Sequence, residues 1–231
     1  MTIVRLHVLD PLLGELIAVR VPVARGNRAV FDGVRLAGDL GEAVAFIDSC
    51  ANAGWISLDS FADHVRGRSR ARRIRFIREA LDLADAAARS PWESRLRVSY
   101  VTVAGLPRPK VNVPIFDLEE RLLSIADLFD EEAGLVTEFD GQDHRRRRQH
   151  RDDNDREEGF EDAGLVVARA DSLDMTEYEQ RLVARLHSGR RRGLQRDRRR
   201  DRWTLREPDW WREQHHRATL TDAEKAQLFG D

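Results

Sequence analysis

The chain has 231 residues, of which 41% are hydrophobic and 35% are charged. This length accommodates one large domain or two small ones, and the hydrophobic fraction is sufficient for a true core. The formal net charge of −2 argues against attraction of nucleic acid by the molecule as a whole. Any such attraction depends on local arginine clusters, which lie at 145–148 and 190–206.

Cysteine content and hydropathy restrict the class of protein further. The single cysteine, Cys50, excludes an internal disulfide. It lies in an apolar run with helical spacing, which favours a small buried core residue over a nucleophile. No apolar run approaches the roughly 20 residues that a membrane span needs, and no signal-peptide pattern follows Met1. We therefore expect a soluble, cytoplasmic protein that has no membrane partner.

The first 88 residues are predicted to form a small, mainly helical module that begins with two short strands. The strands are expected at 2–9 and 15–23, because both segments are rich in apolar and β-branched residues. Apolar residues that recur every three or four positions predict helices, in which Asp39 and Ser57 are candidate N-caps. Three such helices are expected, at 42–52, 58–65 and 71–87.

Arginine dominates the segment 66–78 within this module. Such a cluster is consistent with the solvated face of a helix. It is also consistent with contacts to nucleic-acid phosphates, because arginine clusters supply most of the affinity for a phosphate backbone. The sequence leaves both interpretations open.

From residue 89 the pattern predicts an α-β-β-β-α-β order, which is typical of a mixed sheet flanked by helices. Ser90, Pro91 and Glu93 fit the N-cap, the first turn and the capping-box position of a helix that ends near Val103. The later elements follow a rigid turn at 105–109. They are strands at 110–116, 121–129 and 135–140, a helix at 147–163, a strand at 165–169 and a helix at 176–187.

The predicted hairpin 121–140 carries carboxylates on its strands. Asp127 shares a face with Leu123 and Ile125, and Glu138 shares a face with Val136 and Asp140, because side chains two residues apart point the same way. Antiparallel pairing across the loop 130–134 would bring Asp127 and Glu138 together. Two buried like charges repel each other, and leaving them without a compensating cation costs several kcal/mol. A divalent cation is the simplest explanation, and hard oxygen ligands suit Mg²⁺ or Mn²⁺.

An ordered set of blocks carries a resemblance over about Ser90 to His187. Its members are Ser90-Pro91-Trp92-Glu93-Ser94-Arg95, Gly105-Leu106-Pro107-Arg108-Pro109, Asp127, Glu138-Phe139-Asp140-Gly141 and His144. Together they resemble an actinobacterial family of uncharacterised proteins. That family carries a domain similar to very-short-patch-repair (Vsr) endonucleases, which have the PD-(D/E)XK restriction-endonuclease-like fold.

The resemblance implies an α+β (α/β) core over 89–188 and a metal-dependent active site. It implies that Asp127 and Glu138 bind Mg²⁺ or Mn²⁺, that Glu93 holds a metal-bound water, and that His144 acts as general acid or base or contacts phosphate. Capping alone is the alternative for Glu93, and an exposed loop histidine is the alternative for His144. Asp152 and Arg156 match an acidic-basic pair of the family, for which a surface ion pair is the alternative.

One position departs from the general PD-(D/E)XK pattern. Asp140 stands where that pattern has a lysine two residues after the second acid, and a carboxylate cannot supply the same positive charge to the scissile phosphate. The family itself carries aspartate here, so Asp140 is kept among the candidate catalytic residues, with a turn former as the alternative. Candidate DNA contacts follow at Gln142, Arg145, Arg146, Arg147 and Arg148.

Residues 189–231 form the third predicted region, a basic and flexible tail. Charge runs of this type are usually solvated and disordered, although arginines with nearby tryptophans can also bind single-stranded nucleic acid. Three functions remain for the whole chain, of which the third is a structural or partner-binding protein that neither cuts nor binds nucleic acid. The first is a Mg²⁺-dependent DNA endonuclease in repair or defence, and the second is a catalytically inactive nucleic-acid-binding or antitoxin-like regulatory protein on the same scaffold.

Overall fold

The computed structural model describes residues 2–9, 16–23, 25–141, 159–160 and 162–216. The chain divides into two compact units. We call Met1–Arg108 with Ser172–Glu179 the helical unit, and Pro109–Asp171 with Gln180–Asp231 the sheet unit. The first boundary therefore follows Arg108, whereas the sequence predicted it near residue 88. The α+β class is confirmed, and each helix within the described ranges is too short or too polar to serve as a membrane span.

The helical unit begins with β1 (Thr2–Leu9) and β2 (Leu16–Val23), two strands that the sequence predicted, and they pair as an antiparallel hairpin. Its helices are α1 (Gly26–Val34), α2 (Leu40–Asn52), α3 (Leu58–Arg66), α4 (Ile74–Leu83), α5 (Pro91–Val98) and α6 (Ser172–Thr176). A π-helical turn, Ser99–Val103, extends α5 to the predicted end.

Two features of the helical unit differ from the prediction. Helix α1 was missed, although Val30, Phe31 and Val34 form its buried stripe. Helix α4 is shorter than predicted because Arg73 has a left-handed φ of 60° and Ala84 is extended, so neither residue continues a helix.

Short side chains cap the helices where the sequence predicted caps. Asp39 accepts the Glu42 N–H at 2.7 Å, and Ser57 accepts the Ser60 N–H at 3.2 Å. The helices bury a common core that includes Cys50, which is 4% exposed, and burial raises the pKa of its thiol. The prediction that Cys50 is a core residue is confirmed.

A buried ion pair joins α2 to α5 inside this core. Asp48 Oδ2 accepts hydrogen bonds from Arg97 Nη2 at 2.5 Å and from Ser94 Oγ at 2.6 Å, while Asp48 Oδ1 accepts the Asp85 N–H at 2.7 Å. Both charged side chains are 1% exposed. Burial raises the pKa of Asp48, and the Arg97 charge and these hydrogen bonds oppose the rise.

The sheet unit contains one mixed sheet of five strands in the order β6-β5-β4-β3-β7. The strands are β3 (Lys110–Asp117), β4 (Leu122–Asp130), β5 (Leu135–Asp140), β6 (Val166–Asp171) and β7 (Trp203–Thr204). The strands β5 and β6 are parallel and the other neighbours are antiparallel. The predicted β4–β5 hairpin is confirmed.

Helix α7 (Glu179–Leu194) meets the β4–β5 hairpin at close range. A Cβ on Gly193 would lie 2.0 Å from the Ala133 carbonyl oxygen, so only glycine permits this approach. One turn earlier, Arg190 donates to Asp130 at 2.8 Å and to Glu132 at 2.6 Å. The helix is therefore fixed to the turn by backbone proximity and by charge.

The predicted flexible tail is wrong for residues 189–216. This stretch completes α7, adds β7 to the edge of the sheet and forms α8 (Asp209–His216). Trp203 packs edge-on against Phe129 with ring centroids 5.2 Å apart, and Trp211 packs against Phe116 at 5.4 Å. The charge run is ordered because acids elsewhere in the unit pair with it and tryptophans anchor it.

Candidate functional site

A row of polar residues crosses four neighbouring strands of the sheet. The β4–β5 pairs end at Leu128 and Thr137, and one further step in this register sets Asp127 opposite Glu138. On the other side of β5, Glu138 is paired with Arg169 of β6. Continuing the β3–β4 register between the pairs on either side sets Asn112 opposite Asp127. We call Asn112, Asp127, Glu138 and Arg169 the polar row.

The neighbouring row, one residue nearer the β4–β5 turn on each strand, differs from the polar row in burial. Their side chains are all buried, between 0 and 8% exposed, and they pair strand by strand across the same four strands. The members of this neighbouring row are Val111, Leu128, Thr137 and Ala168. Asn112, Asp127, Glu138 and Arg169 are instead half-buried. Successive residues of a strand point to opposite faces, so the buried row and the polar row lie on opposite faces of the sheet.

The backbone is distorted within the polar row. Asn112 has φ of 48°, which lies in the left-handed region, and the β3–β4 pairing omits it although Val111 and Val113 are both paired. Asparagine is one of the few non-glycine residues that tolerate this conformation. Strained residues of this kind cluster at functional sites, so the distortion itself indicates a candidate site.

Asp127 interrupts the ladder with its side chain. Its Oδ2 accepts the N–H of Phe139 at 2.9 Å, which is the kind of hydrogen bond that a backbone carbonyl supplies elsewhere in the sheet. This bond fixes the carboxylate at the boundary between β4 and β5. The β4–β5 pairs end one residue earlier, at Leu128 and Thr137, so the common face of Asp127 and Glu138 stays a prediction.

The parallel pair of β5 and β6 adds charges that the sequence analysis did not single out. Arg169 lies beside Glu138, and Asp171 lies beside the exposed Asp140 at the carboxyl ends of the two strands. Residues paired in this way also point to one face of the sheet. Arg185 Nη1 donates to the Arg169 carbonyl at 2.5 Å, which holds this part of β6 to α7.

The donor chemistry of the polar row suits a hard divalent cation. Asp127 and Glu138 carry carboxylate oxygens, and Mg²⁺ typically takes one or two carboxylates in such sites. Across the residues that the structure describes, no group of three or more His, Cys, Asp or Glu side chains is arranged to hold a metal. Binding of Mg²⁺ or Mn²⁺ by Asp127 and Glu138 therefore stays a prediction.

Glu93 has a structural role in the helical unit. Ser90 Oγ accepts the Glu93 N–H at 3.2 Å, and Glu93 Oε2 accepts the Arg89 N–H at 2.9 Å. The residue is 8% exposed. The capping interpretation is confirmed, and a contact between Glu93 and a metal-bound water stays a prediction.

The other predicted site residues lie outside the described residues. They are His144, the candidate DNA contacts Gln142, Arg145, Arg146, Arg147 and Arg148, and the family pair Asp152 and Arg156. Of the predicted catalytic and metal-binding residues, the sheet unit holds Asp127 on β4 and Glu138 and Asp140 on β5, where Glu138 is paired with Arg169 and Asp140 with Asp171.

Two members of the polar row were missed for different reasons. Asn112 had a signal in the sequence, because asparagine two residues before Pro114 is unusual inside a strand and suggests an irregularity. Arg169 had none, because its place beside Glu138 depends on the register of a parallel pair, which no short turn fixes.

Because comparison with known proteins identifies no relative, the functional argument rests on the geometry of the candidate site. No family model, no curated protein and no solved structure matches the chain.

Proposed function

We propose that the protein is a Mg²⁺-dependent DNA endonuclease of the Vsr-like type, active in repair or defence in the cytoplasm. The observation that supports this most is the polar row, in which the β4–β5 register leads from Leu128 and Thr137 to Asp127 and Glu138, and Glu138 is paired with Arg169. The mixed sheet with a β3–β4–β5 meander and a parallel β6 is compatible with a restriction-endonuclease-like core.

Each residue of the row has a role in this proposal. Asp127 and Glu138 bind the metal, and the Phe139 N–H holds the Asp127 carboxylate in place. When bound, the metal supplies Lewis-acid activation of the phosphodiester and of the attacking water. Arg169 supplies positive charge near the scissile phosphate, which compensates for Asp140 at the position where the general pattern has lysine.

Residues outside the polar row complete the proposed site. His144 acts as general acid or base, and Gln142 with the arginines 145–148 contacts the DNA. Asp140 and Asp171 lie two pairs further along β5 and β6. These carboxylates would bind a second cation or direct the DNA backbone away from the strand ends by repulsion.

A catalytically inactive DNA-binding or antitoxin-like protein is the second candidate. The observation that favours it is the hydrogen bond from the Phe139 N–H, which gives Asp127 a structural role without any metal. The two candidates differ in whether DNA is cut and whether Asp127 and Glu138 bind a cation.

The test is nicking of supercoiled plasmid by the purified full chain with Mg²⁺ or Mn²⁺. Asp127→Asn, Glu138→Gln and Arg169→Met are prepared identically. Glu131→Gln is the matched control, because Glu131 is an exposed carboxylate on the same hairpin that pairs only at the surface, with Lys110 at 3.0 Å. We expect cleavage to fall below detection in the three row variants and to be unchanged in the control.

Calorimetric titration of Mg²⁺ and Mn²⁺ separates the two candidates further. The endonuclease requires metal binding that is lost in Asp127→Asn and Glu138→Gln, while DNA binding in EDTA is retained. Cleavage that survives in both carboxylate variants would overturn the proposed site. Absence of both cleavage and metal binding in the unaltered chain would favour the binding protein.

A further inference from the structure

The arginine-rich segment 66–78 of the helical unit is unusual for its lack of acids. It contains seven arginines and no aspartate or glutamate, in a chain whose net charge is −2. Nearly balanced surfaces normally intersperse the two signs. The segment spans the end of α3, the connecting turn and the first half of α4.

Three of the seven arginines are used by the fold. Arg66 pairs with Asp63, and Arg68 donates to the His64 carbonyl at 2.7 Å. Arg73 donates to the carbonyls of Arg35 and Ala37 at 2.8 and 2.7 Å. These side chains are partly immobilised, and their removal would disturb the turn between α3 and α4.

The other four arginines are exposed, and none has an ion pair or side-chain hydrogen bond to any described residue. They are Arg70, Arg72, Arg75 and Arg78, which we call the free arginine surface. Glu79 and Asp82 lie four residues beyond Arg75 and Arg78, a spacing that permits helical ion pairs, yet no N–O distance in these pairs falls within 4.0 Å. The fold thus leaves four positive charges available.

We infer that the free arginine surface binds the phosphate backbone of a nucleic acid. A small anion would contact one or two guanidinium groups, whereas this surface offers four along nine residues, which matches a polymer of regularly spaced phosphates. An anionic membrane fits less well, because an interfacial helix needs an exposed apolar face. The apolar side of α4 is buried in the core, where Ile77 and Ala80 are 0% exposed.

The distribution of acids predicts which end of the surface binds more strongly. Arg75 and Arg78 border a hollow of about 450 Å³ that Glu79 and Asp82 also line. Those carboxylates repel phosphate. Arg70 and Arg72 instead lie on the turn between α3 and α4, within the segment 66–78, which contains no acid. Substitution of Arg70 and Arg72 is therefore expected to weaken binding more than substitution of Arg75 and Arg78.

Binding at this surface does not require the proposed chemistry of the sheet unit, so the test is made in EDTA. The full chain is titrated into fluorescein-labelled duplex DNA of arbitrary sequence, and anisotropy gives the affinity over a range of salt concentrations. The test variant changes all four free arginines to alanine. The matched control changes Arg191, Arg192, Arg199 and Arg206 to alanine, since these are also exposed and make no side-chain bond to a described residue, so the net charge changes equally.

We expect the slope of log affinity against log salt to fall by about three to four in the test variant, because each lost phosphate contact removes roughly 0.9. The control loses less of the slope than the test variant, because its arginines lie outside the free arginine surface. A third variant has lysine in place of the four free arginines. It retains the slope of the unaltered chain, and it tests the inference if the alanine variant fails to fold. Equal losses in test and control variants would overturn the inference, as would absence of binding to DNA together with arginine-dependent binding to phosphatidylserine vesicles.

Discussion

The two units place acid–arginine pairs in opposite surroundings. In the helical unit, Asp48 and Arg97 are both 1% exposed, and three hydrogen-bond donors satisfy the Asp48 carboxylate. In the sheet unit, Glu138 and Arg169 are neighbours on a half-buried row where two strand ladders are interrupted. The first pair is enclosed and serves the fold, whereas the second is only half-buried.

The contrast gives a criterion for separating structural from functional charge. A buried ion pair is stable only while both partners are present, because an isolated charge in a core strongly destabilises the folded state. A half-buried charge at a distorted strand costs less to neutralise, so the fold tolerates its loss and the function does not. Stability and activity should therefore respond in opposite ways to substitutions in the two places.

The largest expected effect on stability comes from Asp48→Ala. This change leaves the buried Arg97 without its counter-charge, and we expect the free energy of unfolding to fall by about 3–5 kcal/mol. Asp127→Ala loses the hydrogen bond from the Phe139 N–H and should cost only about 1 kcal/mol. Urea unfolding monitored by circular dichroism measures both, and equal losses would contradict the proposed contrast.

A smaller effect is expected at Asn112, where the backbone of the polar row is strained. Asn112→Ala places a Cβ without a compensating side chain at a φ of 48° and should lower the free energy of unfolding by about 1 kcal/mol. Asn112→Gly relaxes the strain and should not be destabilising. If alanine and glycine are equally tolerated in the same urea titrations, conformation is not the reason for asparagine at this position.

The smallest effect concerns pH and the helical unit. Burial, with the charges of Arg68 and Arg28, lowers the pKa of His64, and its Nε2 is buried with no partner among the described residues. The unfolded chain therefore binds the proton more readily than the folded chain, so stability is complete above the unfolded value of about 6.5 and declines as pH falls through the lower folded value.

His64→Gln tests this sign, because glutamine does not titrate. Between about pH 7.5 and 5.5 the unaltered chain should lose Tm by roughly a few degrees more than the variant. His187→Gln is the control, since His187 is exposed and lies in the sheet unit. A parallel decline of Tm in all three proteins would assign the acid sensitivity to other groups.

Local patterns in the sequence predicted much of the architecture. Alternation and loop length were sufficient for the β4–β5 hairpin. Short polar residues at Asp39, Ser57 and Ser90 marked real helix N-termini. These features depend on neighbours within about a dozen residues, which is the range over which a single sequence is informative.

The features that were missed depend on distant partners. Residues 189–216 were predicted to be flexible because Arg190 belongs to a run of charged residues. Its partner, Asp130, is 60 residues earlier in the chain. The position of Arg169 beside Glu138 likewise follows from the pairing of β5 with β6 across a long connection. Composition cannot reveal either pairing, because each requires the folded sheet.

The pairing of β3 with β7 also has a consequence for synthesis of the chain. Phe116 is paired with Thr204, 204 − 116 = 88 residues later, whereas helices α1 to α5 are complete once Val98 has been made. During translation the outer edge of β3 is therefore without its neighbour until residues beyond 204 leave the ribosome. An uncovered edge strand can pair with other chains, so slow elongation after the β6 segment should favour aggregation of nascent protein.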